Sequence, residues 1–372
     1  MRFTLSSAEL KEQLQLVNGA LGSNPVLPIL EDFLFQLEDG RLRITATDLE
    51  TFVQAELEVN AEEEGAVAVP AKILLDTLKQ LPTQPISFQV DPNNFAITIT
   101  SAFGQYQLAG EDGDDYPKLP QADSAEEIEM PALLLLEGIN KTLFAASNDE
   151  LRPAMTGVLL EINPQGVTFV STDAHKLVKY SFTEIEPTTD TSLILPKKAL
   201  NLLKNGLSDH NGNVRIAFSR SNAFFYYANQ IIICRLIDAR YPDYNSVIPQ
   251  NNSKTMRVVR QDFLNSLKRI ANYANKVTNQ VKLTISEEHL KIEAEDIDFS
   301  NKASEKMPCY YEGETLSIGF NAKFLVEMLN VIGGDNVLLH LESPNRAGVL
   351  RQEEENSGED LLMLVMPVIL NY

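Results

Sequence analysis

The sequence predicts an α+β protein made of three tandem copies of one domain, each about 125 residues long. Three observations predict this: a strand motif ending in Asp, a strand-to-helix junction carrying Lys, and an amphipathic helix opening each third. The motif runs Ile44-Thr45-Ala46-Thr47-Asp48-Leu49, Phe169-Val170-Ser171-Thr172-Asp173-Ala174 and Ile292-Glu293-Ala294-Glu295-Asp296-Ile297, its aspartates 125 and 123 residues apart. The junction runs Val67 to Leu75, Leu193 to Leu200 and Leu316 to Leu325, placing Lys72, Lys198 and Lys323 at spacings of 126 and 125. One such match would be chance; three in one order at one period are not.

In chain order, each copy reads as strand, helix, alternating strands, helix and more strands. The start Met1-Arg2-Phe3-Thr4-Leu5 alternates as a strand does. Opening helices are predicted at Ser7 to Leu21, Ala132 to Ser147 and Gln261 to Lys276. Between the helices of the first copy lie Phe33-Leu34-Phe35-Gln36-Leu37 and Phe52 to Val59, and after the second come Ile86 to Val90 and Ala96 to Thr100. Period-2 alternation leaves one face of each sheet buried, and helices with one apolar stripe must cover it. Pro or Asn stands near each second helix start, where either is favoured. Tyr116-Pro117 and Tyr241-Pro242, 125 apart, mark the linkers, giving copies at 1–125, 126–250 and 251–372.

Composition narrows the function. An apolar fraction of 44% over 372 residues supports real cores. The longest apolar run, Leu361 to Leu370, is ten residues and contains Pro367, too short to span a membrane. The opening residues lack a signal-peptide apolar region, which predicts a cytoplasmic protein. Cys234 and Cys309 form no metal or redox spacing. The chain has no phosphate-binding Gly-rich loop, His-Glu-x-x-His or Gly-x-Ser-x-Gly, and His175, His210, His289 and His340 sit in unrelated contexts. Glu111-Asp112-Gly113-Asp114-Asp115 misses the calcium-loop pattern, and Glu353 to Asp360 reads as a hairpin tip. No catalytic group, metal or cofactor is expected.

Net charge is −21, unlike the basic footprint of a simple nucleic-acid binder. Its distribution differs from its sum. The six predicted helices together carry +5, and the rest of the chain −26. In 261–276 the stripe Phe263, Leu264, Leu267, Ile270, Ala271 and Ala274 faces inward, opposite Asn265, Lys268, Arg269, Asn272 and Lys276. In 197–206 Leu200, Leu203 and Leu207 oppose Lys197, Asn201 and Lys204. Any one basic stripe is usually a solvated helix face. A bias confined to helices suits non-specific phosphate contact, without base readout.

These features resemble the bacterial DNA polymerase III β sliding clamp family. The resemblance rests on the three copies, Leu27-Pro28-Ile29-Leu30, Thr172-Asp173-Ala174-His175-Lys176-Leu177, Tyr241-Pro242-Asp243-Tyr244 and Val365-Met366-Pro367, and it covers the whole chain. It implies a head-to-tail homodimeric ring with helices lining a hole for double-stranded DNA, held topologically and without sequence preference. The implied DNA-facing residues are Lys72, Lys79, Lys197, Lys198, Lys204, Lys268, Arg269, Lys276 and Lys323. The implied dimer interface joins Tyr106 and Leu108 of one copy to Tyr273 of the other.

The resemblance also implies a partner-peptide pocket at Met155, Thr172, His175, Lys176, Leu177, Pro242, Val247, Val365, Met366 and Pro367, with Val368 and Leu370 adjoining. Its partners would be the replicative polymerase α subunit, the clamp loader and other clamp-motif proteins. Ala174 stands where Gly is usual, Lys176 where Arg is usual, Ser246 where Arg often lines the pocket, and Asn24 where a basic residue is common. Asn371-Tyr372 extends past the usual end. Two competing readings fare worse: a hydrolase using His175 with Asp173 lacks a nucleophile motif, and a peptide-binding scaffold that never encircles DNA would carry helices as acidic as its sheets.

Overall fold

Each recurring Asp closes a turn between two strands. Asp48 Oδ1 accepts from the backbone N–H of Glu50 and Thr51 at 3.1 and 2.7 Å. Asp173 Oδ1 accepts from His175 and Lys176 at 2.9 and 2.8 Å. Asp296 Oδ1 accepts from Asp298 at 3.2 Å. The side chain supplies what the tight backbone cannot, which favours Asp at such turns. The following Leu49 and Ala174 adopt left-handed φ of 78° and 74°. Ala174 therefore carries strain that a Gly there would avoid.

The computed structural model describes residues 1–122, 126–185, 187–354 and 357–370; Asn371-Tyr372 and the Glu355-Asn356 part of the expected hairpin tip lie outside them. Among the described residues the six α-helices are α1 (Ser7–Val17), α2 (Ala71–Gln80), α3 (Ala132–Thr142), α4 (Lys197–Gly206), α5 (Arg260–Ile270) and α6 (Ala322–Val331). Each opening helix is shorter than predicted. An 11-residue α-helix gives way to a three-residue 3-10 turn at Asn18–Ala20, Leu143–Ala145 and Ala271–Tyr273. Leu21, Ala146 and Ala274 close these turns by N–H bonds to the third carbonyl back, which tightens the last turn. Lys276 thus lies beyond α5, not on its stripe. The expected inward stripes hold: Phe263, Leu264, Leu267, Ile270, Leu200, Leu203 and Leu207 are buried.

The chain forms two compact units, Met1–Leu136 with Lys198–Leu236, and Glu137–Lys197 with Ile237–Tyr372. The first unit has a five-stranded antiparallel sheet in the order Asn60–Glu63, Arg2–Ser6, Pro85–Val90, Ala96–Ser101, Gly104–Ala109. It also has a nine-stranded sheet in which the Thr51–Glu58 strand pairs with Gln230–Arg235, Val53 opposite Ile232 and Thr51 opposite Cys234. Phe3, Phe35 and Phe88 are fully buried in this unit, Phe3 stacking on Phe88 at 4.9 Å. Each such side chain contributes roughly 1.5–3 kcal/mol.

The second unit repeats this device. Its nine-stranded sheet joins Lys176–Phe182 to Glu359–Val365, with Val178 opposite Met363 and Lys176 opposite Val365. Its four-stranded sheet ends on Asn301–Pro308. The strands of each copy divide between two layers of four or five strands, and strand pairing across copy boundaries merges them into larger sheets. That hydrogen bonding is why the units do not coincide with the sequence repeat.

Candidate functional site

The nine cations expected to face DNA fall into two groups. Lys79 is paired with Asp76 at 3.0 Å, and Arg269 bonds Glu305 through two nitrogens at 2.8 and 2.6 Å. Lys197 donates to Asn148 at 2.6 Å, and burial lowers its pKa, with Lys176 adding to the effect. Lys198, expected to face DNA, is tied inward: its ammonium donates to Asp48 Oδ2 at 2.6 Å and to the Ala20 carbonyl at 2.5 Å. By contrast Lys72, Lys204, Lys268, Lys276 and Lys323 are exposed, with no carboxylate in ion-pair range among the described residues.

The expected peptide pocket lies within the second unit. Lys176, Leu177, Thr172 and Val365 are buried where two strands pair. Leu177 belongs to an apolar cluster with Leu159, Val170, Tyr244, Leu362 and Leu364, against which Tyr241 packs. The segment after Val365 leaves the sheet in extended form, held by Met366 N–H on His175 O at 2.8 Å and Val368 N–H on Gly319 O at 2.9 Å. Met366 and Val247 are exposed, while Met155, Pro242, Pro367, Val368 and Leu370 are half-buried. The residues expected to form the pocket therefore divide into a buried set, its expected floor, and an exposed or half-buried apolar set, its expected rim. Lys176 anchors the floor by ion pairs to Asp173 at 3.0 Å and Glu327 at 3.1 Å, and lies over the Phe324 ring. His175 stacks on that ring, and Asp173 accepts from main chain and Lys176, not from the imidazole.

Tyr106 and Leu108 lie on the edge strand Gly104–Ala109, opposite Ile99 and Ile97. Tyr106 is half-buried, whereas Leu108 is already 9% exposed within its own chain. Tyr273 closes the 3-10 turn after α5 and is exposed. Sequence reasoning missed Phe103, Ile297 and Phe299, all exposed aromatic or aliphatic groups beside the edge strands Gly104–Ala109 and Asn301–Pro308. Apolar residues in turns outside the period-2 pattern were the available signal. No group of three or more His, Cys, Asp or Glu among the described residues could hold a metal ion. No helix among them is long and apolar enough to cross a membrane.

Comparison with known proteins agrees along the whole chain. Residues 1–120, 129–243 and 245–368 match the family models for the DNA polymerase III beta subunit N-terminal, central and C-terminal domains. The chain is 31% identical to the beta sliding clamp of Synechococcus elongatus and 29% identical to that of Escherichia coli, covering 100% of each chain in both cases. Among solved structures, the DNA polymerase sliding clamp of Bacillus subtilis superposes with a TM-score of 0.94 at 27% identity, covering 100% of both chains. The chain belongs to the DNA polymerase III beta subunit family, the beta sliding clamps.

Proposed function

We propose that the protein is a processivity factor, a non-catalytic polymerase subunit working as a ring of two chains around duplex DNA. Its three domains, 1–125, 126–250 and 251–372, would be joined head to tail with the three of a second copy. The observation that carries this reading is a repeated strand pairing left unfinished. Copy one joins copy two through Thr51–Glu58 and Gln230–Arg235; copy two joins copy three through Lys176–Phe182 and Glu359–Val365, in the same register. The equivalent strands left over are Asn301–Pro308 and Gly104–Ala109, both unpaired sheet edges. Unpaired edges are pairing templates, and two copies satisfy both. In the conserved register Ala303 would lie opposite Tyr106 of the second copy.

In the same reading, the exposed cations Lys72, Lys204, Lys268, Lys276 and Lys323 touch phosphates weakly, and enclosure supplies residence. The Met366–Val247 rim takes short peptide motifs of the replicative polymerase, the clamp loader and other partners. Sedimentation at low concentration tests the assembly. The wild-type chain should run near 83 kDa, twice 41.4 kDa, and Tyr106→Lys as a folded monomer. Leu108→Lys would test folding instead, because Leu108 is buried in its own sheet. A Tyr106→Lys dimer as tight as wild type would place the interface elsewhere.

A further inference from the structure

A cavity of about 660 Å³ opens in the first unit beside α2 and the edge strand, lined by Glu31, Asp32, Lys72, Asp76, Thr77 and Tyr106 among others. Asp32 is 7% exposed, and among the described residues no donor reaches its carboxylate. Burial pushes its pKa up to about 6, with Glu111 and Glu31 adding to the effect. With no protein donor to offset that burial, the charged form depends on the solvent that the cavity admits.

The internal repeat shows what belongs there. At the junction of copies one and two, the 3-10 turn Asn18–Ala20 packs on α4: a Cβ at Gly19 would meet the Leu202 side chain, and Lys198 binds the Ala20 carbonyl. The space there is only about 70 Å³. Gly19 and Ala20 are small, and Leu202 is large. At the unfinished junction the sizes are reversed. The counterpart turn Ala271–Tyr273 carries Asn272 and Tyr273 for Gly19 and Ala20, and α2 carries Asp76 for Leu202 beside the large cavity.

We infer that Tyr273 of a second copy enters this cavity and donates its hydroxyl to Asp32. The contact rests on the dimer reading and adds a polar lock to it. The ring occupies part of the volume, and the phenol supplies the protein donor that Asp32 lacks within its own chain. The lock also selects register, since a turn displaced along α2 would leave Asp32 buried without a partner.

Two measurements test it. The pair Asp76→Cys and Asn272→Cys, in a Cys309→Ser background, keeps both locking groups and should give a covalent dimer with a short bismaleimide. Tyr273→Phe should weaken dimerisation about tenfold by sedimentation, and should do nothing further in an Asp32→Ala background. A dimer of the double-cysteine chain that does not cross-link, or a Tyr273→Phe dimer of unchanged affinity, would overturn the lock and leave the ring. A wild-type chain that sediments only as a monomer would overturn the ring itself.

Discussion

Lys198 reaches Asp48 across 150 residues of sequence, its ammonium 2.6 Å from Oδ2. The same ammonium holds the carbonyls of Ala20 and Leu21 at 2.5 and 3.4 Å, where the first opening helix ends. Asp48 meanwhile closes its own turn through Oδ1. One lysine therefore links the helix end, the turn and α4 within the first unit. A cation so placed has little left to offer a phosphate.

Lys198→Met should accordingly cost about 1–2 kcal/mol of stability, the range of a charge-assisted hydrogen bond that remains partly solvated. DNA association should change less than in Lys204→Ala, whose ammonium is exposed. Denaturant melts and salt-dependent DNA binding on both variants check the contrast. Equal stability of Lys198→Met and wild type would contradict it.

Acid should weaken the third copy through His340. Burial holds its pKa below the ordinary value of 6.5, and Arg351 adds to this; its Nδ1 meets Thr255 Oγ1 at 3.0 Å. Above the unfolded value the imidazole is neutral in both states, and its stability contribution is complete. As pH falls through 6.5 the unfolded chain gains a proton that the folded chain resists, so stability is lost. His340→Gln should flatten the fall in melting temperature between about pH 7.5 and 5. An unchanged pH slope would remove His340 as the cause.

The split between floor and rim predicts two classes of pocket variant. Met366→Glu and Val247→Glu, both at exposed positions, should abolish binding of a polymerase-derived peptide with stability changed by less than about 0.5 kcal/mol. Leu177→Glu buries a charge in the cluster with Leu159 and Leu364 and should cost about 3 kcal/mol or more. Peptide titration by calorimetry beside thermal melts separates them. Full peptide affinity in Met366→Glu would move the site.

The repeat was legible because its marks sit where backbone geometry restricts the residue. Asp48, Asp173 and Asp296 each accept main-chain N–H groups in a turn, and Asn321 caps α6 by accepting from Lys323 N–H at 2.9 Å. The inward stripe of α5 was equally readable, since burial at helical spacing leaves a period. What the sequence concealed depends on partners distant along the chain. Lys198 reads as one more exposed cation until Asp48 is beside it. Leu108 reads as an open edge-strand side chain until its strand sets it opposite Ile97 and buries it within its own chain. The 3-10 turns after α3 and α5 are hidden because Leu143–Ala145 and Ala271–Tyr273 continue an acceptable helical composition, whereas Asn18-Gly19 carries a readable turn signal. Two of the exposed groups, Ile297 and Phe299, lie in a turn longer than its counterparts: the strand resumes at Asn301, five residues after the Asp, against three at Thr51 and Lys176.

Enclosure of DNA, as opposed to adhesion, is tested most directly on a circle. Direct phosphate contacts release counterions, so affinity that depends on them falls steeply with salt. With few unpaired cations on a chain of net charge −21, binding to linear DNA should be weak and vanish at moderate salt. Protein loaded onto a closed circle by an ATP-driven loader should survive the same salt, because release requires opening the ring. Gel filtration of loaded circles before and after a single cut reads the difference. A topological clamp co-elutes with the intact circle and leaves once the DNA is linear. Protein that stays on the cut DNA, or that moderate salt strips from intact circles, would contradict enclosure.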